Sequence, residues 1–208
     1  RDMLGRELHM RAGLRIGLLG GSFDPPHRGH LHISKTALHR FRLDRIIWLV
    51  SPGNPLKPRP PAPMDKRLAA ARAMAALPCL EVSDFELRAG TRYTAATLAV
   101  LRRRFPAVRF TWLMGADNLA QLHHWERWQD ILETVPVGVL ARPGDRLSAR
   151  LSPAARLYRH ARLRGSESRL LSMATAPAWC FINLPMRPDS STALRAEGRW
   201  PGGERAIE

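Results

Sequence analysis

An apolar run, Leu14-Arg-Ile-Gly-Leu-Leu19, meets Gly20 and Gly21 and then the proline pair Pro25-Pro26 before a helical pattern starts near Arg28. Nothing else in the chain restricts its fold as much. A short buried strand that enters a glycine loop and leaves it as a helix is the opening unit of a parallel sheet, because parallel strands need a long crossover between them. The pattern then recurs. Arg45 to Val50 reads as a second strand, followed by a proline-dense loop from Ser51 to Pro63 and a helix from Met64 to Leu77 that Pro78 ends. Cys79 to Val82, Val108 to Met114, Pro136 to Ala141 and Trp179 to Leu184 read as further strands. Thr94 to Phe105 and Leu119 to Leu132 read as helices, the second open to a break at its paired aromatics.

Strand–helix alternation with these spacings predicts an α/β fold, a Rossmann-like doubly wound parallel sheet in a single domain over 14–208, with 1–13 as an N-terminal lead-in. The chain's 208 residues, 45% of them hydrophobic, supply enough apolar surface for such a core. No apolar stretch reaches the roughly 18 residues of a membrane span, so no membrane partner is expected. Arg1 to Gly13 carries no apolar signal-peptide core, and a cytoplasmic location is expected. Cys79 and Cys180 have neither the number nor the spacing of a disulfide framework or a metal site, and read as core residues.

The net charge of +15 favours anionic partners, either nucleic acid or phosphorylated small molecules. Its densest part, Arg142 to Arg169, holds eight arginines and reads as a solvated face. No zinc pair and no interleaved aromatic–basic strand accompanies it, so a nucleic-acid partner is not expected.

In open parallel sheets ligands sit beyond the carboxyl ends of the strands, where the strand order reverses. The segment after the first strand, Gly20-Gly-Ser-Phe-Asp-Pro-Pro-His-Arg-Gly-His30, is therefore the place to look. Its glycines allow close backbone approach. A helix starting near Arg28 would offer unpaired amides and a partial positive charge to a phosphate. His27 and His30, three apart, share one face of its first turn. The segment matches neither G-x-x-x-x-G-K-[ST] nor G-x-G-x-x-G. Two imidazoles with helix amides suit stabilisation of charge on an α-phosphate during in-line attack, with no covalent intermediate.

GGSFDPPHRGH resembles the signature of the HxGH nucleotidyltransferases, in the form found in nicotinate-nucleotide adenylyltransferases, and the resemblance runs from Ile16 to Arg195. It implies transfer of the adenylyl group of ATP to nicotinate mononucleotide, giving nicotinate adenine dinucleotide and pyrophosphate. On that resemblance His27, His30 and Arg195 are catalytic. The ATP site comprises Gly20, Gly21, Ser22, Phe23, His27, His30, Gly115, Asp117, Ser190, Ser191, Thr192 and Arg195. Asp189 to Arg195 is similar to the family's ISSTxIR element, which holds the departing phosphates. Lys57, past the second strand, would pair with the acceptor phosphate. Arg92-Tyr-Thr-Ala95 is similar to a [ST]-Y-T element whose amides meet the nicotinate carboxylate; Arg92 stands where serine is common, and Thr94 reads as the helix cap. Trp125 would stack on the pyridine ring and the Glu126 amide would join Tyr93, Thr94 and Ala95 around the carboxylate. Trp128 reads as core, and His123 and His124 as surface. Mg²⁺ would arrive with ATP, with no dedicated protein cage. The rival readings are an adenylyltransferase for another phosphate monoester such as phosphopantetheine, and a basic nucleic-acid-binding protein on the same scaffold. Whether the chain forms a homo-oligomer is left open.

Overall fold

The computed structural model describes Leu8 and residues 10–53 and 58–184. Its strands are β1 (Arg15–Gly21), β2 (Arg45–Val50), β3 (Leu80–Ser83), β4 (Arg109–Gly115), β5 (Val137–Ala141), β6 (Arg162–Leu163) and β7 (Trp179–Asn183). All pair in parallel. Their order is β3-β2-β1-β4-β5-β7-β6, so the chain direction across the sheet reverses between β1 and β4.

Alternation along the strands divides the apolar residues between two cores. Ile16 and Leu18 of β1, Ile47 and Leu49 of β2, and Phe110, Trp112 and Met114 of β4 enter the first. Leu19, Ile46, Trp48 and Leu113 occupy intervening positions and enter the second. Both faces must then be covered, which is why these strands read as nearly continuous apolar runs. The first face carries α3 (Phe85–Ala89), α4 (Thr94–Arg104), α5 (Ala116–Gln121), α6 (Trp128–Thr134), α7 (Arg146–Arg150) and α8 (Pro153–Leu157). The second carries α1 (Arg28–Arg40), α2 (Met64–Met74) and a 3₁₀ stretch over Gly165–Met173. This is the doubly wound single-domain fold expected from the alternation. Among the described residues no helix is long and apolar enough to cross a membrane.

Several boundaries differ from the sequence reading, each for a physical reason. β1 does not break on its glycines: it runs through them, with Gly21 paired to Val50. A Cβ on Gly20 would lie 2.5 Å from the Trp112 ring, so this glycine serves close packing within the sheet. α2 ends at Met74, before Leu77. The predicted Leu119–Leu132 helix is three pieces: α5, a 3₁₀ turn over Leu122–His124, and α6, whose N-cap Arg127 has φ 50°. The lead-in is not wholly loose, since Leu8 is buried in the first core. Helices α3, α7 and α8 and strand β6, each five residues or fewer, are too short to show a period and were not foreseen. Cys180 is buried in β7, while Cys79 precedes β3 and is half-buried; both are free thiols.

Candidate active site

His27 is the N-cap of α1, and its Nδ1 accepts a hydrogen bond from the Gly29 amide at 3.0 Å. His30 Nδ1 accepts from the His27 amide, also at 3.0 Å, and the ring centroids lie 4.0 Å apart. The His30 amide donates to the His27 carbonyl. The reciprocal capping corrects one expectation: the amides of His27, Gly29 and His30 are satisfied within the helix and do not wait for a phosphate. The donors are the rings instead. With Nδ1 accepting in each, the hydrogen-bond pattern assigns the proton to Nε2. Gly29 is required by this arrangement, because a Cβ there would lie 2.6 Å from His27 Cε1 and 2.9 Å from Arg142 Nη2.

The His30 ring rests on Phe23, centroids 4.5 Å apart, which in turn stacks on Trp48 at 5.0 Å. Ser34 Oγ donates to the His30 carbonyl at 2.8 Å and accepts from Trp48 Nε1 at 2.8 Å. These contacts fix the ring from below and behind. Burial above all, with the electrostatic influence of the His27 ring and of the Arg142 guanidinium, lowers the His30 pKa from 6.5 to about 3. The ring is therefore a neutral donor at physiological pH. A histidine held neutral in the fold contributes stability that is present above pH 6.5 and lost as pH falls toward 3. Glu86 of α3 behaves oppositely: burial raises its pKa from 4.5 to about 7, so its stabilising neutral form is lost as pH rises through that range. Thermal melts at pH 5 and pH 8 should separate the two. Glu86→Gln is expected to raise the Tm at pH 8 and change it little at pH 5, and His30→Gln to narrow the wild-type loss on acidification. Parallel curves for the variants and wild type would show that neither group titrates abnormally.

The histidines open onto a cleft of about 470 Å³ between β1 and β4, where the strand order reverses. Gly20, Gly115, Ala116, Asp117 and Asn118 share its wall with Leu140, Arg142 and Asp145. Asp117 lies in the first turn of α5 and folds back over Gly115, where a Cβ would lie 2.5 Å from its Oδ1. Arg142 directly follows β5 and its charge reaches His30. It does not belong to the solvated arginine face that the sequence suggests, because it is half-buried and lines the cleft. The other arginines of that stretch, 146, 150, 156, 159, 162, 164 and 169, are exposed. The missed signal was positional, since Arg142 stands just past a strand's carboxyl end like the other residues of the site.

A second cleft, about 310 Å³, is lined by Arg92, Tyr93, Thr94, His124, Trp125 and Glu126. Two segments some thirty residues apart in sequence meet here as the resemblance implies. The cap assignment is corrected: Tyr93 is the N-cap of α4, Thr94 is the first helical residue, and no side chain caps the turn. First-turn amides are thus left without a side-chain partner. Trp125 is not helical. It occupies the extended break after the Leu122–His124 turn, half-buried against the first core. A continuous helix could not present it this way. Ala95 is buried below the cleft. Trp128 is half-buried, edge-on to Tyr158 at 5.9 Å. His124 is an exposed surface residue as expected, but His123 is half-buried.

Of the remaining ATP-site residues, Gly21 is half-buried at the end of β1, and Ser22 is exposed with its carbonyl bound elsewhere. Phe23 is buried, so its side chain supports His30 and does not face the cleft. Lys57, Ser190, Ser191, Thr192 and Arg195, with Asp189, lie outside the described residues. A larger hollow, about 760 Å³, runs along edge strand β3. Its Arg88 and Asp84 satisfy each other at 2.7 Å, and its Arg45 and Glu81 lie 3.9 Å apart.

Residues 18–197 match the cytidylyltransferase-like family. A probable nicotinate-nucleotide adenylyltransferase of Cereibacter sphaeroides is 66% identical over 185 residues, 89% of this chain and 98% of that protein. One of Ruegeria pomeroyi is 60% identical, covering 95% of this chain and 92% of its own. Among solved structures, the Plasmodium falciparum nicotinic acid mononucleotide adenylyltransferase complexed with NaAD superposes with a TM-score of 0.66. It shares 16% identity and covers 88% of this chain and 83% of its own, a likeness of fold.

Proposed function

This chain belongs to the cytidylyltransferase-like family, among its nicotinate-nucleotide adenylyltransferases, and we propose from that premise how its residues carry the reaction. The adenylyl group of ATP passes to nicotinate mononucleotide, giving nicotinate adenine dinucleotide and pyrophosphate. An oxygen of the acceptor phosphate forms a bond to the α-phosphorus. The bond from that phosphorus to the bridging oxygen of the β-phosphate breaks, and pyrophosphate leaves with the electron pair. The attacking oxygen is already ionised, so no general base is needed. The protein's work is positioning and neutralisation of charge.

The observation that supports this most is the pair of imidazoles, each with Nδ1 occupied by an amide and both lining the cleft at the sheet reversal. Their Nε2–H groups are the donors for α-phosphate oxygens, and Arg142 adds a fixed positive charge beside them. Asp117 accepts from ribose hydroxyls, and the Gly20 and Gly115 backbone lines the cleft beside it. Ser190, Ser191, Thr192 and Arg195 hold the departing phosphates, and Lys57 the acceptor phosphate. Trp125 stacks on the pyridine ring, with the amides of the α4 start and Glu126 around its carboxylate. Among the described residues no three His, Cys, Asp or Glu side chains gather as a metal site. Mg²⁺ carried in with ATP would offset the charge of its phosphates. The reaction's partners are ATP and nicotinate mononucleotide, its place the cytoplasm, and it needs neither nucleic acid nor membrane.

The test is pyrophosphate release with ATP and one acceptor at a time. Nicotinate mononucleotide should support turnover and phosphopantetheine should not. Turnover with phosphopantetheine alone would overturn the acceptor assignment. Release with neither, alongside salt-dependent retention on DNA, would favour the nucleic-acid-binding alternative.

A further inference from the structure

Arg67 of α2 is a charged residue with only 1% of its surface exposed, and none of the chemistry above uses it. Among the described residues its guanidinium donates to main-chain carbonyls drawn from separate segments. Nε reaches the Ala62 carbonyl at 2.7 Å, Nη1 the Ser22 and Ser51 carbonyls at 2.8 and 2.6 Å, and Nη2 the Pro52 carbonyl at 3.3 Å. Ser22 belongs to the loop that delivers His27. Ser51, Pro52 and Ala62 belong to the two ends of the loop after β2, within which Lys57 lies in sequence. A second tie runs the same way: the Ala62 amide donates to Asp24 Oδ1 at 3.2 Å. The Asp24 carboxylate also balances the charge that burial penalises on Arg67.

Only a planar fork of donors can hold carbonyls in several directions at once; an ammonium group supplies its donors from a single point. Burying a cation to serve main-chain oxygens is costly, and an apolar side chain of equal volume would pack there at lower cost. What the cation secures is the relative position of two loops.

We infer that Arg67 is a positioning residue that holds the two ends of the loop after β2, Ser51–Pro52 and Ala62, at a set distance from the His27–His30 turn, and so sets where the acceptor of the proposed reaction is delivered. The inference rests on the proposed reaction. The histidines keep further supports through the α1 cap, Phe23 and Ser34, so loss of Arg67 should disturb acceptor delivery more than ATP binding. A displacement of an ångström between reacting groups lowers turnover on the order of 10²-fold.

The experiment measures kcat and both KM values for Arg67→Met, Arg67→Lys, Lys57→Ala and the Lys57→Ala/Arg67→Met double variant, well below each protein's measured Tm. Arg67→Met is expected to raise KM for nicotinate mononucleotide about tenfold and lower kcat roughly 10- to 100-fold, with KM for ATP moving less than about threefold. Arg67→Lys, which keeps the charge and most of the volume, should show the same split more weakly, and it decides the matter if the methionine variant does not fold. Because both residues act through one loop, the double variant should raise the acceptor KM by much less than the product of the single effects. Equal movement of both KM values, a lowered Tm with unchanged kinetics, or multiplicative effects in the double variant would each overturn the positioning role. A wild-type enzyme that does not turn over nicotinate mononucleotide would overturn the reaction itself, and this inference with it.

Discussion

His30→Ala is expected to lower kcat by roughly 10²- to 10³-fold while leaving KM for ATP nearly unchanged. In the proposed reaction the neutral ring would make an ordinary hydrogen bond to an α-phosphate oxygen in the ground state. As the acceptor oxygen approaches and charge accumulates on the equatorial oxygens, the same donor is worth more, and only that difference accelerates the reaction. The His30 ring is suited to this because it does not reorganise: Phe23 lies beneath it, the His27 amide holds Nδ1, and Ser34 holds its carbonyl. His27→Ala should differ in kind. It removes both a donor and the helix cap, so the Tm should fall with the rate, by an amount set by a cap worth about 0.5–2 kcal/mol. A kcat change in His30→Ala smaller than about tenfold, roughly 1.4 kcal/mol of barrier, would remove His30 from the catalytic group.

Nicotinate mononucleotide should be used roughly ten- to hundredfold better in kcat/KM than nicotinamide mononucleotide. The α4 N-terminus has no side-chain cap, and its first residues meet Trp125 and Glu126 in one cleft. Backbone amides only donate. A carboxylate accepts from several of them, whereas a carboxamide offers one oxygen and turns its NH₂ toward a donor. An unpaired group of that kind costs about 1–3 kcal/mol. Arg92, exposed on the same cleft, adds a charge that favours the anionic ring substituent. Measuring kcat/KM for both mononucleotides at fixed ATP decides it. Parity, or a preference for the amide, would refute this recognition of the carboxylate and leave adenylyl transfer standing.

The fold was legible because its evidence is local. β1, β2, β4, β5 and β7 are mostly apolar runs, and α1, α2 and α4 start and stop within a few residues of their predicted ends, whereas β6 and the broken 119–132 segment had no such local signal. The site was legible where a short motif carries it: Gly20 to His30 lies within one strand, one loop and one helical turn. Legibility failed where residues act across the sheet. Arg142 looked like one more arginine in a basic stretch until β5 placed it beside His30. Trp125 fell within a predicted helix, but the Leu122–His124 turn ends in an extended Trp125 backbone, and the residue shares a cleft with Tyr93.

By itself, the sequence determined the parallel α/β class, the switch-point location of the chemistry and the pairing of His27 with His30. These follow from periodicity and from residues a few positions apart, whose geometry the backbone sets directly. Tertiary structure alone decided that the Arg142 charge reaches His30 and that Arg67 ties the loops after β1 and β2 together. Those outcomes depend on groups that the chain brings together only on folding: Ser22 and Arg67 are 45 residues apart, joined through a carbonyl that has no side-chain identity to read. A main-chain acceptor is the same at every position. Which donor it meets is therefore a property of the packed fold.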